Sequence, residues 1–437
     1  MKKRLLVFTL ITMLLASTAL LAYQLPFDDS DVDFGGETVT YISWYDPLGE
    51  FVEGGDYPAR LEEAMERYNI GDIQLLSVPY GDDLREVMMN RLLSDESSND
   101  IWFLHTSQIW PLIANEAFYP MNEILPDAYY DNLTPEALSI IDLYSFQGEK
   151  YALGLGTGAA QVINYVVWNK EIFDSEGLTP LDEIYESGNW TWDAMEELAI
   201  AATTDTSGDG IIDQWGLSDI DPIPFAFTNG ARPVVSDNDG NFVFGYTDEA
   251  AYAAISKVRE WLHEMDISHG DWQHLEFFAG DVAMAVMGAW QINDDAFGAI
   301  EFDYGIVPLP MGPNMDHHVF PSGDADNVFV PINATDPKGL AALHNFLWRP
   351  AEVVDGREDF VLDRAHDFVS YQVLMDAYEK YDGDVYSFEG ILGEWWNGDT
   401  PFGEAMGSVM WGGQSPAAAM EAIEPRINTI LDEMFNN

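Results

Sequence analysis

The sequence GEKYALGLGTGAAQVINYVVWNKEIF, residues 148–173, says more about the fold than any other part of the chain. A turn at residues 148–150 opens it, small residues follow over 154–160, and an apolar, β-branched run covers 162–168. Glycine permits close backbone approach and unusual dihedral angles, whereas β-branched residues stiffen a strand. This composition predicts a strand that leaves one compact body and enters another.

The amino terminus indicates export. Lys2, Lys3 and Arg4 precede an apolar run over residues 5–22, and small residues cluster near its end. This pattern predicts a secretory signal peptide over residues 1–22. An uncleaved membrane anchor is the alternative, because the run approaches the length of a spanning helix. The acidic sequence that follows favours cleavage, and the lack of cysteine excludes disulfides and a lipid anchor on cysteine.

Acidic residues dominate the rest of the chain. After residue 22, 15 basic residues stand against 76 acidic ones, a net charge near −61. Such a charge repels nucleic acid and anionic lipid, so neither is an expected partner. Disorder is not expected either, because 47% of the residues are hydrophobic and 13% are aromatic.

Strand and helix patterns alternate along the chain. Strand patterns occupy residues 38–43, 73–78 and 101–104, and helical spacing occupies 58–68 and 82–93, then 191–203, 248–265, 338–347 and 415–434. Alternation predicts parallel sheets covered by helices. About 415 residues after the signal exceed one ordinary core, so two lobes joined by several strand crossings are expected.

Three segments in a fixed order resemble one protein family. They are residues 148–173, residues 280–310 (GDVAMAVMGAWQINDDAFGAIEFDYGIVPLP) and residues 322–347 (SGDADNVFVPINATDPKGLAALHNFL). Their order and spacing resemble extracellular solute-binding proteins of ABC importers, of the carbohydrate-uptake, maltose-binding-protein-like type. Leu155 stands where the family commonly has proline, and Trp168 where it has tyrosine.

The resemblance implies an architecture. It implies an α/β, two-lobed periplasmic-binding-protein fold, type II-like, in which hinge strands join two parallel-sheet lobes around a ligand cleft. The expected organisation is a signal peptide (1–22), a flexible acidic leader (23–36), a first lobe (37–158 plus 303–348) and a second lobe (159–302 plus 349–437).

The resemblance also implies a function. The expected protein is a monomeric, exported, non-catalytic receptor, periplasmic or extracellular, that captures a sugar or oligosaccharide and delivers it to ABC importer permease subunits. The alternative is a secreted glycosidase or polysaccharide lyase using paired carboxylates, although no particular pair stands out. A calcium-dependent surface binding module is a third possibility.

Aromatic faces can cover the apolar C–H faces of a sugar, and Asp, Asn, Gln or Ser can pair with its hydroxyls. Residues just past predicted strands or hinges are the candidates, because ligands bind at the carboxyl ends of strands in such sheets. The candidate ligand residues are Trp44, Asp46, Ser107, Gln108, Trp110, Asn229, Trp290, Asp324, Asn327, Trp395 and Trp396. Trp102, Trp168, Trp192 and Trp261 are assigned to packing.

The stretch DTSGDGIIDQWG, residues 205–216, resembles a calcium loop. Asp205, Ser207, Asp209 and Asp213 fall at alternate positions suited to hard oxygen ligands, with the Ile211 carbonyl between them. Gly216 replaces the bidentate glutamate of a complete EF-hand loop. Structural Ca²⁺ is therefore predicted, and an Asx-rich turn without metal is the alternative.

The acidic residues are spread along the whole chain, and only five lysines follow residue 22. This distribution fits a surface adapted to concentrated salt, which shortens charge repulsion to a range of about 3 Å at 1 M. We therefore expect the melting temperature to rise as NaCl is added. A melting temperature that does not rise in a thermal scan would contradict adaptation to salt.

Overall fold

The computed structural model describes residues 24–55, 57–79, 82–133, 135–154, 164–270, 274–292, 300–322, 326–349, 356–384, 387–396 and 398–435. The predicted signal peptide and the glycine-containing segment 155–163 lie outside these ranges. Within them, no helix is long and apolar enough to cross a bilayer.

Short strands alternate with helices through these ranges. The strands are β1 Thr38–Ser43, β2 Asp72–Ser77, β3 Asp100–Leu104, β4 Ser145–Phe146, β5 Glu149–Lys150, β6 Asn164–Asn169, β7 Trp215–Ser218, β8 Val234–Ser236, β9 Phe242–Phe244, β10 Val282–Gly288, β11 Tyr304–Pro308, β12 Phe320–Ser322, β13 Asn327–Phe329 and β14 Tyr381–Asp384. The helices are α1 Arg60–Arg67, α2 Asp82–Leu93, α3 Thr106–Ala114, α4 Asp127–Tyr130, α5 Pro135–Leu143, α6 Lys170–Glu176, α7 Leu181–Glu186, α8 Trp192–Ala202, α9 Pro222–Thr228, α10 Glu249–His263, α11 His274–Ala279, α12 Pro337–Trp348, α13 Gly356–Arg364, α14 Phe368–Glu379, α15 Glu389–Leu392, α16 Pro401–Met410 and α17 Pro416–Phe435.

The first lobe is built on a four-stranded sheet in the order β13-β3-β1-β2. β1 pairs in parallel with both β2 and β3, as the alternating pattern predicts. β1 is almost wholly buried, because its apolar residues Val39, Tyr41 and Ile42 lie in the core. The predicted bounds of β1 and α2 agree with the structure at both ends.

The second lobe is built on a sheet in the order β11-β6-β10-β7. Side chains alternate across β6, so Tyr165 and Val167 enter one apolar core while Val166 and Trp168 enter the other. Helices therefore cover both faces of this sheet, which confirms the α/β class. Trp168, Trp102, Trp192 and Trp261 are all buried, as predicted for packing residues.

Two strands run against the rest, where the sequence predicts parallel sheets. β13 is antiparallel to β3, and β6 is antiparallel to β10 and β11. Each of these strands enters its sheet from the other lobe, and so starts at the edge where its neighbours end. β11 pairs with β6, so the predicted lobe boundary at residue 303 is wrong, and the chain leaves the second sheet only after Pro308.

Residues 24–36, expected to form a flexible leader, instead pack onto the first lobe. Leu25, Val32 and Phe34 are buried. The Asp29 carboxylate accepts from the Tyr68 hydroxyl at 2.7 Å and pairs with an arginine of α1, while Asp31 pairs with Lys338 of α12. The few apolar residues among the acidic ones pack against the core of the first lobe, although the composition of the segment as a whole is polar.

The chain is clamped at the point where it leaves the first lobe. The N–H of Gly154 donates to Asn327 Oδ1 at 3.1 Å, and its carbonyl lies 2.7 Å from His344 Nε2. One residue earlier, Leu153 N–H donates to the carbonyl of Val328 in β13. The outgoing chain is thus tied both to the incoming strand β13 and to the helix that follows it.

His344 makes this clamp sensitive to acid. Its ring is fully buried and stacked on Trp348, with centroids 4.9 Å apart, and burial lowers its pKa to about 4. The neutral ring therefore donates Nε2–H to the carbonyl of Gly154. A protonated ring would be a buried charge, and its Nδ1–H would have no acceptor among the described residues.

We expect His344 to make the protein less stable as the pH falls. His344 binds a proton near pH 6.5 in the unfolded chain, but only near pH 4 in the folded protein. Its contribution to the free energy of unfolding is therefore complete above pH 6.5 and is lost as the pH falls from 6.5 to 4. This contribution is roughly 3 kcal/mol. Urea unfolding at pH 7 and near pH 4.5 measures it: His344→Gln, which keeps an N–H donor, should show a smaller loss than the wild type. His317→Gln, at an exposed site, is the control, and equal losses in His344→Gln and wild type would contradict the assignment.

Candidate functional site

Each sheet presents one edge at which several strands end. β1, β2 and β3 run in the same direction and end at one edge of the first sheet, where β13 begins. β7, β10 and β11 likewise end at one edge of the second sheet, where β6 begins. In open α/β sheets, ligands bind beyond the carboxyl ends of the strands. Both crossing strands start at these edges, which makes the space between them the candidate site.

An aromatic group occupies the edge of the first sheet. Trp44, directly after β1, lies edge-on to Tyr45 with centroids 5.1 Å apart and to His105 at 5.8 Å. Trp44 is half-buried, and 43% of Tyr45 remains exposed. The sequence analysis selects Trp44 but misses Tyr45 and His105. Tyr45 directly follows Trp44, and His105 directly follows β3, so their positions in the sequence could have indicated both. Together they offer an aromatic surface with a hydroxyl and an imidazole at its border.

Carboxylates border the same edge. Asp326, just before β13, accepts from the N–H of Thr106 at 3.2 Å and so lies at the start of α3. Asp46 is exposed and accepts from Leu48 N–H at 2.9 Å. The sequence analysis selects Asp46 and Asp324 but not Asp326. Asp324 lies outside the described residues.

Ser107, Gln108 and Trp110 lie in α3 and are buried. α15 packs on the first turn of α3 so closely that a side chain at Gly390 would collide with the Ser107 carbonyl. Trp110 stacks on Phe388 with centroids 5.1 Å apart. Its remaining ring contacts join the two lobes and are Tyr144, Phe146, Phe242 and Phe435. Trp110 therefore packs between the lobes, which a sequence pattern cannot reveal because its partners are distant in the chain.

Asn229 uses both ends of its amide within the second lobe. Its Nδ2 donates to the Ala250 carbonyl at 2.8 Å, and its Oδ1 accepts from the N–H of Asn314 at 3.0 Å. It follows α9 and is 1% exposed. The structure thus assigns Asn229 to holding the loop after β11, and its selection from sequence overlooked that role.

The turn after β10 lies at the edge of the second sheet and carries Trp290. The backbone of Ala289–Gln291 forms one short 3₁₀ turn, and Gln291 Oε1 accepts from Gly288 N–H at 2.7 Å. The Trp290 side chain lies outside the described part of the structure. Opposite this turn, Asn164 pairs with Gly288 across the sheet, and its Nδ2 has no partner among the described residues. Asn164 is a candidate donor that the sequence analysis missed.

The residue directly after β7 has an uncommon backbone conformation. Asp219 has φ +56°, in the left-handed region that non-glycine residues seldom adopt. Such conformations recur at ligand sites, where surrounding structure holds them in place. Asp221, two residues on, caps α9 by accepting from Ile223 N–H at 2.7 Å. The half-buried Asp219 therefore stands just past β7, the strand that pairs in parallel with β10, which leads into the turn with Trp290.

The two late tryptophans differ in exposure. Trp395 is buried, stacks on Trp411 with an interplanar angle of 9°, and lies edge-on to Trp396. Trp396 is 39% exposed. Of the pair, only Trp396 offers a ring that solvent can reach. Asn327, predicted as a ligand residue, is fully buried, and its side-chain Oδ1 accepts from the N–H of Gly154, as described above.

The predicted calcium loop is organised around two carboxylates. The oxygens of Asp205 accept from the N–H groups of Gly208, Asp209 and Gly210, and Asp213 accepts from Thr206 and Ser207. These hydrogen bonds, led by that from Gly210, lower the pKa of Asp205, and those led by Thr206 lower the pKa of Asp213.

This network is the arrangement that the Asx-turn alternative predicts. Asp209 accepts from the N–H of Ile211 at 2.9 Å. Across the described ranges, no three His, Asp or Glu side chains form a group that could hold a metal. The residues as arranged therefore do not yet form a calcium cage, and calcium remains a prediction.

Comparisons with known structures define the fold. An ABC substrate-binding protein from Listeria monocytogenes, in complex with cycloalternan, is 14% identical, with a TM-score of 0.63 over 90% of this chain and 98% of that one. The GacH receptor of Streptomyces glaucescens, solved unliganded and with acarbose, is 18% identical, with a TM-score of 0.63 over 91% and 99%. A maltose/maltodextrin-binding domain from Bdellovibrio bacteriovorus, bound to maltotriose, is 17% identical, with a TM-score of 0.61 over 92% and 100%. These likenesses confirm the two-lobed periplasmic-binding-protein fold.

Sequence comparison gives the family. No curated protein sequence matches the chain. The model of the bacterial extracellular solute-binding proteins matches residues 101–353, more than half of the chain, from β3 into the crossing after α12. The chain therefore belongs to the bacterial extracellular solute-binding protein family.

Proposed function

We propose that the protein captures a sugar or oligosaccharide between its two lobes and delivers it to the permease subunits of an ABC importer. The observation that carries this proposal is the pairing of two strand-end edges, one bearing Trp44, Tyr45 and His105 and the other the turn with Trp290. The similar structures bound to cycloalternan, acarbose and maltotriose support a carbohydrate as the ligand.

Each part of the first edge has a use in sugar recognition. The rings of Trp44 and Tyr45 cover the apolar face of a pyranose, and the Tyr45 hydroxyl donates to a ring substituent. Asp46 and Asp326 accept from sugar hydroxyls, which carry no charge of their own. On the second lobe, Asn164 Nδ2 donates to a hydroxyl and Asp219 accepts from one. The sugar then bridges the lobes.

Closure follows from this bridge. An open form exposes both edges, and a sugar that contacts both stabilises the closed form by its differential affinity for the two states. Permease subunits that recognise the closed arrangement then bind the loaded receptor. A micromolar receptor needs a net binding free energy of only about 8 kcal/mol.

Several properties accompany this role. The receptor acts outside the cytoplasm as a monomer, after removal of its signal peptide and without a lipid anchor. It binds and releases the sugar unchanged, without catalysis. Its acidic surface suits a saline habitat, in which the excess of carboxylates remains screened.

A thermal-shift screen tests sugar binding. The panel contains glucose, galactose, ribose, maltose, maltotriose, cellobiose, xylobiose, trehalose and raffinose. At least one should raise the melting temperature, because a ligand that binds only the folded state stabilises it. Trp44→Ala should weaken that sugar about tenfold by calorimetry, equivalent to about 1.4 kcal/mol.

Phe368→Ala removes an aromatic side chain that is 70% exposed on α14, and should leave affinity within about twofold. If no member of the panel binds, the sugar-receptor proposal fails. If the best-binding sugar is recovered hydrolysed, the enzyme alternative replaces it.

Calcium at residues 205–213 is a second, separate proposal. Binding would require Asp205, Asp209 and Asp213 to turn oxygens away from the loop's own N–H groups, with Ser207 and the Ile211 carbonyl completing the site. After chelation, added Ca²⁺ should raise the melting temperature of the wild type but not of Asp205→Asn, because the first position of such loops requires aspartate. Asp237→Asn is the matched control, since Asp237 also accepts from loop N–H groups, those of Asp239 and Asn241. No change in wild-type melting on adding Ca²⁺ would exclude calcium.

A further inference from the structure

The turn that carries Trp290 is held from behind by one arginine. Arg364, the last residue of α13, donates from Nε to the carbonyl of Ala289 at 2.8 Å. Ala289 is fully buried, and in the described structure its carbonyl otherwise accepts only the long bond, 3.3 Å, from Ile292 N–H that closes the 3₁₀ turn. A side chain far along the sequence thus completes a turn at the candidate site.

Arg364 is itself fixed on several sides. Its guanidinium carbon lies 3.6 Å above the ring centre of Phe360, and Nη1 donates to the Phe360 carbonyl at 3.2 Å. The Tyr304 hydroxyl donates to the Arg364 carbonyl at 2.7 Å, which ties the end of α13 to β11. The side chain is 14% exposed. Arg364 therefore connects α13 to the turn after β10 through its guanidinium, and to β11 through its backbone carbonyl.

We propose that Arg364 is a positioning residue for ligand binding: it sets the backbone of the Ala289–Gln291 turn, from which the Trp290 side chain extends. This inference rests on the proposed sugar-binding function. Arginine suits the position because its planar group donates and stacks at once, which neither lysine nor an apolar residue does. Without it, a buried carbonyl loses its charge-assisted donor, and the turn is free to move away from the geometry that the sugar meets.

The helix that carries Arg364 belongs to the second lobe. α13 is the first described element after residues 350–355, which follow the first-lobe helix α12. Ser370 of α14 accepts from the N–H of Ile306 in β11, so α13 and α14 are seated on the second sheet. Arg364 therefore joins the place where the chain returns to the second lobe with a turn at the ligand edge.

A double-mutant cycle tests the positioning role. The variants are Arg364→Met, Trp290→Ala and the two combined, and the probe is the tightest-binding sugar of the panel above. Arg364→Met should weaken binding about tenfold in the wild type, the size expected for a lost hydrogen bond to a charged group. In the Trp290→Ala background it should weaken binding less than about twofold, because the ring it positions is gone.

Two further variants keep the test decisive. Arg259→Met removes an arginine of α10 that pairs with Glu264, and should leave affinity unchanged. Arg364→Lys keeps a cation that can reach the Ala289 carbonyl, and should bind with intermediate affinity. If Arg364→Met does not fold, the cycle is run with the lysine variant. Independent, multiplying effects of the Arg364 and Trp290 changes, or wild-type affinity in Arg364→Met, would overturn the proposal.

A measurement without sugar separates this inference from the proposed function. In protein labelled with 5-fluorotryptophan, the Trp290 fluorine signal is assigned by its absence in Trp290→Phe. Arg364→Met should shift or broaden that signal and leave the Trp44 signal in place. If the signal moves but no panel sugar binds, the positioning stands and the sugar function falls. If sugar binds but the signal does not move, the positioning is wrong.

Discussion

Two contacts at Gly154 decide how the two lobes are joined. The Asn327 side chain accepts a hydrogen bond from the N–H of this glycine, and the buried imidazole of His344 donates one to its carbonyl. Because Asn327 begins the returning strand β13 and His344 lies in α12, the outgoing and returning chains are joined to each other within the first lobe.

That constraint explains the division of labour among the candidate residues. Trp44, Tyr45 and His105 can present ring faces and edges because β1 and β3 end side by side. Asn327, Asn229 and Trp110 instead use their polar or aromatic groups in contacts within the protein itself. Residue type alone does not separate these two sets. The separation comes from which backbone groups and rings reach each side chain once the chain has folded.

Local sequence signals predict the elements, and long-range contacts decide the site. The limits of β1 and α2 and the burial of Trp102 and Trp261 follow from periodicity and apolar composition. The sheet that β11 joins cannot be predicted in this way, because the local sequence of a strand ending in Pro308 would be the same in either lobe.

Leu25, Val32 and Phe34 were hidden among acidic neighbours and could not be recognised as core residues. The role of Arg364 could not be predicted from sequence either, because its partner Ala289 lies 75 positions earlier in the chain. Chain length predicted two lobes, and the family resemblance supplied the ligand cleft between them.

The most direct test of sugar-driven closure is a distance between the lobes. The native chain has no cysteine, so Glu62→Cys on α1 and Glu197→Cys on α8, both at exposed sites, allow a spin-label pair with one label per lobe. Pulsed electron resonance should show a broad distribution of distances without sugar, and a narrower, displaced one when the tightest-binding panel sugar saturates the protein. An unchanged distribution in the saturated protein would contradict a receptor that closes on its ligand.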